Sequence, residues 1–342
     1  MQAHIVPRFH LGRFASPPGR NGSVYVIDKR TGRSFREPVK NACTATDFYV
    51  IEDKAGNESA VIEDMLQKLE SYCARRIEQL VKAAGKPSDN DRYTLAMYVV
   101  LTATRTPRMR EHLRWVSDTL TLARFRSTLE ADPPWQRMRA ALYAEMPDDE
   151  AERLRQRMIK EVDSGNLAVE FPQRYYVIST MEYLTHQAEI AADMSWTVMR
   201  TPDDREFVIG DNAVTMHDPT LAASNGPVGN ALASSRFAET VLPLDRHVAV
   251  RLTFGDDDWT DAEIESELLD ELNLRSYAWA DTAIYGSSQA HVVAVREHAR
   301  RHPTLPAKFA PRRGGLLIEN DYPLVGGGHR RDVVVETPRS VR

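Results

Sequence analysis

His247-Val-Ala-Val-Arg-Leu-Thr-Phe254 sets Val248, Val250, Leu252 and Phe254 in strict alternation with His247, Ala249, Arg251 and Thr253. That period of two belongs to a strand with one buried face. Outward from it, the same pattern recurs at Trp196/Val198, across Phe207-Val208-Ile209 and over Ala238–Leu244. Near the start of the chain, Ser23–Asp28 and Ser34–Val39 flank Lys29-Arg30-Thr31-Gly32-Arg33. A Gly-containing turn between two such runs predicts a β-hairpin. Strand signals therefore sit at both ends, and a different period fills the space between them.

In that middle, Ile62, Leu66, Leu69, Cys73, Ile77 and Leu80 recur every three or four residues up to Gly85-Lys86-Pro87, which predicts a long amphipathic helix. Ser88-Asp89-Asn90-Asp91 supplies capping residues for a second helix, which runs through Tyr93, Met97, Val100, Leu101 and Thr104 and ends near Pro107, because the residue before proline disfavours the α region. Further helices are predicted at about 107–129, after Pro134, from Asp148 through Val162, and over Gln173–Asp193. Thr260 with Glu263 reads as a capping box for a helix through Leu268 and Leu272 towards Ile284,. Strands are predicted at His291–Val295 and Leu316–Ile318, before a break at Gly326-Gly327-Gly328. The expected organisation is a β-rich segment at 1–57, a helical region at 58–194, an α+β region at 195–325 and a loose basic tail at 326–342. The fold class is α+β, with a mixed or antiparallel sheet built from N- and C-terminal β segments and a helical insertion packed on it.

With 342 residues, 42% of them apolar and 27% charged, the chain has ample core material and the make-up of an ordinary globular protein. Cys43 and Cys73 lie in different elements, and Met1–His10 lacks an apolar run of signal-peptide length, so a cytoplasmic location is expected. No apolar stretch approaches the length of a bilayer span,. The net charge of −5 gives no indication of nucleic-acid binding. Arg105, Arg108, Arg110, Arg114, Arg124, Arg126, Arg137 and Arg139 nonetheless make a basic middle, either a solvated helix face or a holder of phosphate or carboxylate. Dinucleotide, P-loop, zinc-protease, nucleophile-elbow and Cys-x-x-Cys motifs are absent,. Oligomeric state stays open.

At the N-terminus, His4-Ile-Val-Pro-Arg-Phe-His-Leu-Gly-Arg-Phe14 packs His, Arg and aromatic residues around one proline. This opening, with Arg105-Thr106-Pro107, Phe207-Val-Ile-Gly-Asp-Asn212, Leu242-Pro243-Leu244 and Leu272-Asn273, resembles a bacterial family defined as domain of unknown function 4238. Gly210 and Ala213 stand where that family usually has Ser and Pro. The resemblance brings no chemistry with it, so site expectations come from the residues themselves.

Asp211, at the end of an apolar strand, is either a base or metal ligand aimed into a cleft or the acceptor of an Asx-turn. His4 is an acid–base partner or an anchor of the N-terminus. Arg105, at a helix C-terminus, is an anion clamp or a helix-dipole partner. Glu182, His186, Glu189 and Asp193 stack on one helix face, as a metal site or a wet stripe,. His4 and Asp211 as catalytic residues, with Arg105, Asn212 and Asn273 binding substrate, are expected to converge. The implied chemistry is hydrolysis or transfer on a small phosphorylated or nucleotide-like anion. A divalent metal is an open option as cofactor. The alternative is a non-enzymatic sensor or binding protein for an anionic ligand or protein partner.

Overall fold

The computed structural model describes residues 2–46, 51–52, 58–59, 61–82, 85–167, 169, 173–202, 204–217 and 237–302. The chain begins with β1 (Gln2–His4), α1 (Arg8–Leu11), β2 (Ser23–Asp28), β3 (Ser34–Pro38), β4 (Thr44–Thr46), β5 (Ile51–Glu52) and β6 (Glu58–Ser59). Six helices follow: α2 (Val61–Lys82), α3 (Asp89–Thr104), α4 (Pro107–Glu130), α5 (Asp132–Leu142), α6 (Asp148–Asp163) and α7 (Gln173–Asp193). The last part holds β7 (Ser195–Arg200), β8 (Ile209–Gly210), β9 (Thr215–His217), β10 (Glu239–Pro243), β11 (Val248–Thr253), β12 (Trp259–Glu263), α8 (Ser266–Trp279), β13 (Ala283–Gly286) and α9 (Gln289–Arg301).

Two compact units result, one from residues 1–110 with 173–310 and one from 111–172 with 311–342. The first holds the sheets. N- and C-terminal segments combine in the antiparallel order β3-β2-β13-β8, while β12-β7-β11-β10-β9 forms a five-stranded sheet in which β12 runs parallel to β7. The α+β class holds, with the strands divided between these sheets and two short pairs, β1 with β4 and β5 with β6. On β2, Val24 and Val26 join the main core while Ile27 faces Val208, Ala280, Ile284, Val292 and Val295. Alternation thus gives the four-stranded sheet two dry faces. Residues of α2, α3 and α7 fill the main core, including Leu66, Ile77, Tyr98, Leu101 and Leu184.

Local chemistry sets the helix ends. Ser88 caps α3 by accepting from the Asp91 N–H at 3.3 Å, and Ser288 caps α9 through the His291 N–H at 3.2 Å,. At the α2 C-terminus, Arg200 donates to the Leu80 and Val81 carbonyls, both at 3.1 Å, while its fork grips Asp261,.

Two sequence expectations are overturned. Thr260 and Glu263 do not open a helix: they lie in β12, where the Thr260 hydroxyl donates to that of Thr197 at 2.9 Å, and α8 starts only at Ser266. Strand pairing with β7 outcompeted the local capping pattern. His291–Val295 is helical, within α9, because the Ser288 cap and the Val292/Val295 spacing serve a helix whose face covers β13,. Leu316–Ile318 and the tail at 326–342 lie outside the described residues.

The described part of the second unit is helical, built on Leu129, Trp135 and Ala151 with Phe125, Met138 and Met158 against them. Arg155 lies 5.7 Å over the Trp135 ring. Of the basic middle, Arg126 pairs with Glu130 and Asp163, and Arg139 pairs with Asp148; the side chains of Arg108, Arg110 and Arg114 lie outside the described residues. Among the described residues no helix is long and apolar enough to cross a membrane.

Candidate functional site

His4 is half-buried at the end of β1, in register with Thr44 of β4. Its ring hydrogen-bonds to the backbone at Val39 and Lys40. The other ring nitrogen, Nε2, is buried without a partner. Burial lowers its pKa below the ordinary imidazole value, and the nearby Arg8 and Arg105 guanidinium groups lower it further,. The result is a neutral imidazole whose donor nitrogen is held by the backbone and whose lone pair lies on Nε2.

Arg105 follows α3 directly and is 3% exposed. Its partner is Glu70 of α2, one helical hairpin away. A buried guanidinium needs such a counterion, and no sequence spacing could have named this one. The same cation acts on three neighbours: His4, Cys43 and the Tyr98 phenol.

Cys43 is a non-glycine residue at φ 54°. Its carbonyl accepts from the Ile5 N–H at 2.9 Å and its sulfur from the Val6 N–H, so a sparsely populated backbone conformation is held where β1 is fastened. The Tyr285 hydroxyl from β13 bonds the Cys43 thiol and backbone. Burial and the adjacent Asp211 carboxylate push the Cys43 pKa up to about 12. Such a thiol stays protonated and inert at neutral pH.

Asp211 is buried just after β8. Its Oδ1 accepts from the backbone N–H of Asn212 at 3.0 Å and of Asp281 at 2.7 Å. Oδ2 accepts from Thr282 N–H at 2.7 Å, from Ala283 N–H at 3.3 Å and from the Thr282 hydroxyl. The Asn212 bond reaches only the next residue, one short of the i+2 N–H that an Asx-turn uses,; the others tie the chain entering β13 to the end of β8. Both oxygens are occupied by protein donors, an arrangement that leaves little capacity for a metal or a substrate proton. Among the described residues no group of three or more His, Cys, Asp or Glu is placed to hold a metal ion. His186, Glu189 and Asp193 of the α7 stripe are exposed.

Asn273 of α8 stands apart from His4 and Arg105 in its bonding. Its Oδ1 accepts from Val208 N–H at 2.9 Å and its Nδ2 donates to the Glu206 carbonyl at 3.0 Å, clamping the strand that leads to Asp211. Asn212 is buried beside Asp211. Arg105 therefore acts on both His4 and Cys43, and Asp211 acts on Cys43 and Tyr285, whereas Asn273 acts on the backbone of 206–208. Glu70, Tyr98, Cys43 and Tyr285 complete the cluster, and only the lone-thiol character of Cys43 was visible in the sequence.

Gly210 has a packing reason. A Cβ there would lie 2.9 Å from the Ala280 Cβ and 3.2 Å from the Ser276 carbonyl. Gly210→Ser is expected to cost roughly 1–3 kcal/mol through overpacking, measured as a lowered urea midpoint; an unchanged midpoint would show that α8 yields freely.

The fold and this cluster define an α+β protein whose ionised interior is assembled from both sheets' flanking segments and the α2–α3 hairpin. The chain belongs to the family described as Protein of unknown function (DUF4238), whose model matches residues 2–290. No curated protein and no solved structure matches it.

Proposed function

We propose that the protein is a hydrolase or group transferase acting on a small anionic, phosphorylated or nucleotide-like substrate, with His4 as the proton acceptor. The observation that carries this is the buried Nε2 of His4, unpartnered beside two guanidinium groups. Leaving such an atom unanswered costs about 1–3 kcal/mol, a cost that a bound substrate or water would relieve. In the reaction, Nε2 takes a proton from the attacking water or hydroxyl and returns it to the leaving group, while Arg8 and Arg105 face the anionic group. Asp211 is assigned the task of holding β8 to β13, in place of the base role.

The test compares wild type with His4→Asn, whose amide preserves the backbone bond and deletes Nε2, on a panel of phosphomonoesters, phosphodiesters and nucleotides. Wild-type turnover is expected to rise with pH through a pKa below the ordinary 6.5 of imidazole, because the base must be neutral. His4→Asn should lose at least about a hundredfold in kcat with little change in unfolding midpoint. Anion binding without turnover, lost in His4→Asn, would make the protein a binder instead; neither binding nor turnover would sink both assignments.

A further inference from the structure

A second site lies at the opposite end of α3 from Arg105. The 16 residues of α3 separate the two by about 24 Å, so this inference is independent of His4. Here Arg76, Gln79 and Leu80 of α2, the 85–88 connection, and Asp91 and Leu95 of α3 line a half-open pocket of about 240 Å³, with Gln79, Lys86 and Ser88 exposed at its mouth. That is smaller than the sites of drug-sized ligands.

The lining carries both signs of charge. Arg76 Nε meets Asp91 Oδ1 at 2.8 Å, its NH1 donates to Gln79 Oε1 at 2.9 Å, and the Tyr72 hydroxyl donates to the same Asp91 oxygen at 3.0 Å. Among the described residues this leaves Asp91 Oδ2 and Gln79 Nε2 without partners. Lys86 pairs with Asp258 and keeps further ammonium protons to donate. Leu80, Pro87 and Leu95 supply an apolar wall.

We propose that this cavity binds a free α-amino acid with an apolar side chain. A simple anion entering it would meet Asp91, and a simple cation would meet Arg76 and Lys86. A zwitterion satisfies both: its carboxylate faces Lys86 and Gln79 Nε2, its ammonium faces Asp91 Oδ2, and its side chain packs on Leu80, Pro87 and Leu95.

The test is calorimetric titration of the full chain with L-leucine, 4-methylpentanoate, 3-methylbutylamine and inorganic phosphate. Leucine should bind, and the comparators that lack one charge should bind at least about tenfold more weakly, since each loses a charge-assisted contact. Lys86→Ala and Gln79→Ala should each weaken leucine binding about fivefold or more with the thermal midpoint retained. His4→Asn should bind leucine as wild type does. No heat with millimolar leucine would overturn the proposal, as would methylpentanoate or phosphate binding equally well, or leucine binding indifferent to both Lys86→Ala and Gln79→Ala.

Discussion

Asp211→Ala is expected to destabilise the protein by about 3–5 kcal/mol. The side chain is 6% exposed and accepts from four backbone N–H groups and one hydroxyl, drawn from Asn212 and from Asp281 to Ala283. Truncation leaves these donors facing an apolar gap where water cannot fully replace the carboxylate, and each buried unsatisfied donor is costly. Asp211→Asn should cost less, about 2 kcal/mol, because one oxygen survives while the amide NH₂ opposes donors at the other position. Urea unfolding followed by far-ultraviolet circular dichroism measures both. A loss below about 1 kcal/mol for the alanine variant would mean that the 281–283 segment finds other acceptors, and would reopen a chemical role for Asp211. The expected large loss also means that inactivity of an Asp211 variant says nothing about catalysis until its folding has been measured.

His10→Leu is expected to cost about 2–4 kcal/mol and to change the pH dependence of stability. The ring is fully buried, with Nε2 2.7 Å from the Pro243 carbonyl and Nδ1 2.9 Å from the Tyr98 hydroxyl. A carbonyl only accepts, so Nε2 carries the proton and Tyr98 donates to Nδ1. Three distant parts of the chain, residues 10, 98 and 243, are thereby joined by a neutral imidazole. Burial lowers its pKa from 6.5 to about 4, so between those values the unfolded chain binds a proton that the folded one refuses. Stability from this residue is complete above pH 6.5 and is lost as the pH falls to about 4, a swing of roughly 3 kcal/mol. Wild type minus His10→Leu, measured by urea unfolding from pH 7.5 to 4, should show that decline. A difference constant across the range would mean that the imidazole takes up its proton in the folded protein over the same pH range as in the unfolded chain.

Helices were legible from a three-to-four spacing, helped at α3 by a local cap. Ser88 caps α3, Asp148 opens α6, and α7 spans Gln173–Asp193 as its sequence predicts, because these signals act within a few residues of one another. The β2–β3 hairpin and β11 were equally plain. Reading failed at β12 and α9, where local patterns were ambiguous and a distant neighbour decided: β7 recruited Trp259–Glu263, and the back of β2 and β13 required a helix over Val292 and Val295. At the site, His4, Arg105 and Asp211 were visible as residue types in suggestive places. Glu70 as the counterion of Arg105, Tyr285 against Cys43, and the N–H groups that fill Asp211 were not, since each partner comes from elsewhere in the chain.

By itself, the amino-acid order determined the α+β class and most helix limits, because hydrophobic period and capping are local properties of the chain. Tertiary structure alone decided how the strands divide between two sheets, that Asp211 is saturated by backbone donors, and that His4 keeps an unanswered nitrogen beside Arg105. Hydrogen-bond satisfaction and pKa depend on which groups meet after folding, and that information exists only in three dimensions.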